Sequence, residues 1–450
     1  MNNQYIAQYK ANLKLALPVV LTQVGQITTQ IVDNMMVGRY GGEDPLPLAA
    51  VAFGGSVFFI LYIAAIGITM GLTPLVGECY AQGKERESAG LFQNGILFFT
   101  LLGVVTSLVQ YASTPLLYHM GQPAEVVDMA IPYYRMLVYS MPFVMLFFAF
   151  KQFLEGVGNT HTVMWVTLLS NLANIGLNYL FIYGHGGCPA LGAEGAGLAT
   201  LLARVIAPIL IVGYCYAQGR YRRYLRGFSL GNYAWERVRR LLRIGLPISL
   251  QMFLESSAFV GTGIMMGWLS AEAISANQIA TTLGNAAFMI VISIGAATTI
   301  RIAHCYGARN IGELSLAARA SFHLVLVWNA FAAMVFIAGR AFIPTLFTSN
   351  AEVIAITADL LFLAALYQLS DGVQHVAIGV LRGIQDVKII MPIALIAYWL
   401  LNIPVGYLLG FTLGMGPAGL YWGFFIGLSS AAILLLVRIR RSVRKLYQAN

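Results

Sequence analysis

Leu17-Pro18 opens an apolar run that closes at Met35-Met36-Val37-Gly38, and Leu246-Pro247 opens another that closes at Ile264-Met265-Met266-Gly267. Each run is about as long as the ~20 apolar residues a helix needs to cross a bilayer. Each also carries one acid, Asp33 in the first and Glu255 in the second. The two runs read as the first helix of two repeats.

The same offset recurs along the chain. Cys79-Tyr80-Ala81 pairs with Cys305-Tyr306-Gly307, and Leu154-Glu155-Gly156 with Leu381-Arg382-Gly383. Asn174-Ile175 and Tyr179-Leu180 pair with Asn402-Ile403 and Tyr407-Leu408, and Ala196-Gly197-Leu198 with Ala418-Gly419-Leu420. The spacing stays between 222 (418 less 196) and 229 (246 less 17) residues.

Of the 450 residues, 58% are hydrophobic and 10% charged, against ~25% charged in a soluble domain. Twelve spans are expected, at 13–38, 46–74, 91–112, 130–150, 162–184, 191–216, 241–268, 273–300, 317–340, 352–381, 388–412 and 417–438. The fold class is therefore an all-α membrane protein of two six-helix lobes, 1–217 and 241–450, joined by a polar linker, 218–240. Six spans per repeat keep both repeats in one orientation, as in transporters that rock two lobes about a central site. The polar stretch Met1–Asn12 runs straight into the first span, which is expected to be retained. Pro18, Pro247, Pro392 and Pro404 fall inside spans, where they free backbone carbonyls and permit bends.

The net charge of +9 is topological. Of the 27 Lys and Arg, 23 fall on one side of the spans; the other four are Arg39, Arg135, Arg204 and Arg340. The positive-inside rule places that side, and both termini, in the cytoplasm. No nucleic-acid partner is implied. The four cysteines show no metal spacing, and only Cys188 falls in an outward loop. The chain contains no nucleophile triad, Walker motif, zinc motif or glycine-rich phosphate loop, so neither an enzyme nor an ATP-driven pump is expected, and no cofactor.

Carboxylates at bilayer depth cost at least ~2.5–3.5 kcal/mol. Among those inside the spans, Asp33, Glu255 and Asp371 are the candidates. Glu255 lies twelve residues from Arg243 and Asp371 eleven from Arg382, which puts both about 16–18 Å in from the same side. Tyr367 sits one turn from Asp371, with Gln368 and Gln374 near. Such a pair suits a sodium ion, or protons shared between two acids. In the first lobe, Asp33, Asn174, Asn178 and Thr200 offer oxygen donors at similar depth, although Asp33 could instead pair with Arg39. His161, His375 and Arg204 are weaker candidates, a lone histidine near a helix end more often packing than titrating. Met and Phe side chains such as Met252, Phe253, Phe259 and Phe288 suit either a re-packing drug cavity or plain core.

Several of these stretches resemble the multidrug and toxic compound extrusion (MATE) transporters, NorM branch. They are Val32-Asp33-Asn34-Met35-Met36-Val37-Gly38, Leu254-Glu255-Ser256, Tyr367-Gln368-Leu369-Ser370-Asp371-Gly372 and Asn178-Tyr179-Leu180-Phe181-Ile182-Tyr183-Gly184, followed by Gly195-Ala196-Gly197-Leu198-Ala199-Thr200. The resemblance spans nearly the whole chain. It implies a twelve-helix, two-lobe antiporter of the bacterial inner membrane, acting as a monomer among membrane lipids. Such a protein exports cationic and amphipathic drugs against inward Na+ or H+. It also implies that Glu255, Asp371 and Tyr367 form a second-lobe cation site, with Glu255 and Asp371 the ligands of any Na+. Asp33, Asn174, Asn178 and Thr200 would form a first-lobe polar site for protons or substrate. The DinF branch lacks the second-lobe acids and has aspartate where Asn178 stands.

A flippase for lipid or polysaccharide precursors is the nearest rival, but it would need a cationic cavity, whereas the interior charges here are mostly acidic. An ion channel fits a two-lobe repeat less well. The orientation makes a prediction for cysteine labelling in intact cells. Cys188 should react with an impermeant maleimide from outside, whereas cysteine at Tyr80 or Arg222 should not; external labelling of either would invert the topology.

Overall fold

In hydrocarbon every backbone N–H and C=O must find its partner within the segment, so apolar runs of this length fold as α-helices. The computed structural model describes residues 2–42, 44–228, 231 and 233–449. Met1, Glu43, Asn450, and Ser229, Leu230 and Asn232 of the expected linker, lie outside the described residues. The described residues contain twelve helices long and apolar enough to span a membrane and no strand.

In chain order the helices are α1 (Asn2–Gly41), α2 (Leu46–Thr69), α3 (Leu72–Ala81), α4 (Glu85–Ala112), α5 (Ala124–Gly156), α6 (Thr160–Tyr183), α7 (Gly192–Ala217) and α8 (Gly219–Leu225). Then follow α9 (Trp235–Leu269), α10 (Ala271–Gly307), α11 (Ile311–Gly339), α12 (Ala351–Gly383), α13 (Ile390–Ala394), α14 (Ile403–Tyr407) and α15 (Gly416–Ala449). Each expected span is found, but many helices overrun theirs. The stretch expected as linker holds α8 and the start of α9, because its Arg, Glu and Leu residues are good helix formers.

Two departures from simple spans have local causes. The second span breaks between α2 and α3 at Gly71, where an added Cβ would lie 2.8 Å from both Leu241 O and Gly245 N. The missing side chain lets α9 approach backbone to backbone. The eleventh span, expected as a plain helix over 388–412, widens into π turns over Leu395–Asn402 and Leu408–Thr412. Pro404 has no N–H to return to the preceding turn, and its ring crowds that turn's carbonyl. Glycines on α15 hold this irregular stretch close: a Cβ at Gly423 would lie 2.6 Å from Asn402 O, and one at Gly419 2.5 Å from Gly410 N. Small residues serve this purpose in membrane helices generally.

The chain packs as two compact units, Pro18–Ser249 and Met1–Leu17 with Leu250–Asn450. In Pro18–Ser249, α5 is central: α2, α4 and α7 pack on it, and Tyr134, Met141, Met145 and Phe153 are buried along it. In the other unit α12 takes that place, with α10, α11 and α15 around it. The two central helices start 227 residues apart (351 less 124), which is the repeat offset. The unit borders fall inside α1 and α9. Asn12 donates to Ser321 Oγ at 2.9 Å and Tyr9 shares a hydrogen bond with His323 at 2.8 Å, tying the start of α1 to the C-terminal unit. Ser249 donates to Ala64 O at 2.7 Å, and Arg240 pairs with Glu87 and Glu78, tying the start of α9 to the other.

Beyond the spans, Asp386 latches the turn after α12 onto α15. It accepts from Arg438 Nε at 2.7 Å, Arg438 Nη2 at 2.8 Å and Ser442 Oγ at 2.6 Å. Burial pushes its carboxyl up, but these hydrogen bonds and the Arg438 and Lys445 charges outweigh burial and hold it below the ordinary 3.8. A carboxyl lowered on folding adds stability above its unfolded value, and that stability is lost as pH falls through the folded one. The thermal midpoint of the wild type should therefore drop more steeply than that of Asp386→Asn below about pH 4. Parallel curves would show that the latch contributes nothing.

Candidate functional site

Asp371 and His375 stand one helical turn apart on α12 and so share a face. Glu255 reaches the same place from α9, Phe288 from α10, and Tyr398 from the first π turn of the eleventh span. One ligand atom from each of Glu255, Asp371 and His375 falls within 4.8 Å of the others. The two acids that the sequence placed at equal depth therefore meet, with an imidazole between them. All the side chains of this site belong to the unit containing Leu250–Asn450.

Donors surround Glu255. Tyr398 donates to Glu255 Oε1 at 2.7 Å and Gln251 Nε2 to Oε2 at 2.6 Å, while Gln374 Nε2 donates to the Tyr398 hydroxyl at 2.5 Å. Arg382 donates to Gln251 Oε1 at 2.9 Å, so its charge reaches Glu255 through an amide. Asp371 is satisfied less well. Its Oδ1 lies 3.2 Å from His375 Nδ1, yet that nitrogen is 3.1 Å from the Asp371 backbone oxygen and aims its N–H there. Oδ1 keeps no hydrogen bond among the described residues. A backbone carbonyl only accepts, so Nδ1 carries a proton. The other ring nitrogen, Nε2, faces Glu255 Oε1 at 3.6 Å. Without a proton or a cation between them, two acceptors would oppose each other there.

Tyr367 lies one turn before Asp371, its buried ring against Tyr421 and Phe424 with centroids 5.9 and 5.8 Å apart. His375, Tyr398 and Gln251 were not singled out as members of this site from sequence. The four-residue spacing of Asp371 and His375 was a legible signal. Tyr398 gave none, since its approach depends on the π turn.

The first-repeat cluster is simpler. Asn178 Nδ2 donates to Asp33 Oδ1 at 2.5 Å. Asn174, in the amide orientation that hydrogen bonding selects, donates to both Asp33 oxygens at 3.0 and 3.1 Å. Asp33 is thus held by two amides one turn apart on α6. Among the described residues it forms no ion pair with Arg39, so the interfacial alternative is not what the structure contains. Below it, Val37, Val51, Ile182, Ala193 and Ala196 form a small core. Thr200 turns its hydroxyl to Ala196 O on its own helix at 2.9 Å. Arg204 donates to Ser140 Oγ at 2.8 Å, with its guanidinium 5.0 Å from the Phe58 ring centroid and 5.6 Å from that of Tyr62.

Twelve apolar helices in two repeats, with a polar cluster buried in each, define a polytopic membrane protein built by duplication. The chain matches the MatE family twice, over residues 18–180 and 247–408, and it belongs to that family. The second match starts 229 residues after the first (247 less 18), as the sequence repeat does. The multidrug resistance protein MdtK of Yersinia pseudotuberculosis is 33% identical over 445 residues, covering 97% of this chain and 96% of its own. The probable multidrug resistance protein NorM of Idiomarina loihiensis is 33% identical over 443 residues, covering 96% and 94%. Among solved structures, a MATE protein in the bent conformation superposes with a TM-score of 0.89 at 21% identity, covering 98% of this chain and 97% of that one. The outward-facing conformation of a multidrug resistance MATE family transporter gives 0.88, also at 21% identity and with the same coverage. The expected fold and family are both borne out.

Tyr398→Phe should lower stability by about 1.5–3 kcal/mol, the worth of a hydrogen bond to a charged group. Thermal unfolding in detergent measures it. An unchanged midpoint would mean that the phenol does not hold Glu255.

Proposed function

We propose that the chain is a cation-coupled antiporter that exports cationic and amphipathic drugs across the bacterial inner membrane, with both termini cytoplasmic. The observation that carries this reading is the Glu255–His375–Asp371 cluster, two acids and an imidazole within 4.8 Å inside a membrane-spanning fold. Intramembrane acids cost too much to be retained without use, and they recur along ion pathways. The names of the MdtK and NorM relatives support the drug substrates.

Between Na+ and H+, the cluster fits H+ better. Hard cations take oxygen ligands, and here one of the three facing groups offers nitrogen. A proton needs only the acceptor pair already in place, His375 Nε2 and Glu255 Oε1. A proton entering from outside joins this cluster and removes one negative charge, which favours the state with low drug affinity; its release inward restores the charge and recaptures drug. Tyr367, beside Asp371, closes the cation site. Asp33, held by Asn174 and Asn178, supplies the negative charge that receives a cationic drug, with Thr200 on α7 a further polar group of the first repeat. The two repeats, 1–217 and 241–450, are the bodies that alternate access, and 218–240 is their tether. Exchange of one proton for one monovalent drug moves no net charge, so the membrane potential, worth ~2.3 kcal/mol per charge per 100 mV, cancels. The pH gradient then drives export at ~1.4 kcal/mol per unit.

Ethidium efflux from cells, with sodium and pH gradients imposed separately, tests the reading. Efflux should follow the pH gradient, and Asp371→Asn should abolish it at equal membrane abundance, since Asn keeps the shape and removes the negative charge that faces His375. Full efflux by that variant would make Asp371 structural and sink the mechanism.

A further inference from the structure

The charges outside the spans are not evenly spread. At the N-terminal end of α4, a cleft of about 360 Å3 is lined by Arg86, Arg223, Arg226 and Arg237, against a single acid, Glu85. The acid is spent: Glu85 pairs with Arg223 at 2.6 Å. Arg86, Arg226 and Arg237 have no carboxylate partner among the described residues.

The cleft is built rather than incidental. Buried Gln93 donates to Tyr224 O at 2.8 Å and to Arg226 O at 3.4 Å, and Asn94 Oδ1 accepts from Ala234 N at 2.8 Å. These bonds hold Tyr224, Arg226 and Ala234 against α4. Gly90 supplies the floor, where a Cβ would fall 2.7 Å from the Arg237 guanidinium carbon. That guanidinium therefore lies against bare backbone. Three uncompensated arginines converging on a cleft form a receptor for a phosphate, whose oxygens match the guanidinium fork. Phe228, Tyr233 and Trp235 are exposed, by 40%, 42% and 62%. Exposed aromatics beside basic residues mark the membrane–water interface, where the phosphates belong to lipids.

We propose that this cleft binds the phosphate headgroup of an anionic phospholipid, with the acyl chains lying along the aromatic segment. The leaflet is the cytoplasmic one if the orientation proposed above holds; the binding itself does not depend on it. The function of such a site is to pin Tyr224, Phe228, Tyr233 and Trp235 to the membrane surface.

Native mass spectrometry of the full chain in detergent tests it, with dioctanoyl phosphatidylglycerol, dioctanoyl phosphatidylcholine and glycerol 3-phosphate as separate probes. Phosphatidylglycerol should be retained and the other two lost. At about fivefold per arginine, Arg226→Gln alone should weaken binding about fivefold and Arg226→Gln with Arg237→Gln about twenty-fivefold. Arg226→Lys with Arg237→Lys should keep most of it, and Arg441→Gln with Arg444→Gln, on α15, should match the wild type. If the double Gln variant does not fold, the exposed single Arg226→Gln decides. Wild-type affinity in the Gln variants would overturn the site, and glycerol phosphate binding as tightly as the lipid would make it a free-anion site instead.

Discussion

A carboxylate inside a membrane must be given donors, neutralised or used, and the interior of this protein is arranged around that constraint. Its two repeats meet it differently. In the first, Asp33 is capped by two amides from one face of α6 and meets no second acid among the described residues. In the second, Glu255 takes a phenol and an amide, but Asp371 is left with a buried oxygen that accepts nothing, and the imidazole between them presents a bare or protonated nitrogen to Glu255.

The irregular backbone of the second repeat follows from the same need. Tyr398 reaches Glu255 because the eleventh span widens into a π turn, and that turn is tolerated because α15 offers Gly419 and Gly423 to close packing. π turns concentrate at functional positions for this reason: they re-aim a side chain that a regular helix would point elsewhere. The borders of the two compact units fall beside Pro18 in α1 and Pro247 in α9, which are repeat counterparts. Proline removes a helical hydrogen bond and lets a helix change direction. Each of these helices thus serves one unit with its first half and the other unit with the rest.

Much of this was legible in the sequence. Apolar runs gave twelve spans, the recurring Leu-Pro and Met-Gly stretches gave the duplication, and helical rise alone brought Glu255 and Asp371 to one depth. The residues that escaped did so for identifiable reasons. His375 was set aside as a lone histidine, although its four-residue spacing from Asp371 puts it in the cluster on any helix. Tyr398 was out of reach, since a π turn caused by Pro404 has no signature in hydrophobic periodicity. The break at Gly71 was likewise invisible, because what requires it is the backbone of α9, far away in sequence. Thr200 matched in type and depth, but rotamer preference spent its hydroxyl on Ala196 O.

In the proposed mechanism, a proton on the Glu255–His375–Asp371 cluster opposes drug binding. Titration calorimetry of ethidium into the detergent-solubilised protein, repeated in buffers of different ionisation enthalpy, counts the protons released or taken up per drug bound. Release of about one proton near neutral pH is expected from the wild type and about none from Glu255→Gln, because an amide cannot hold the proton that Glu255 shares with His375. Drug binding by the wild type with no proton exchanged, and weakened instead by added sodium, would contradict it.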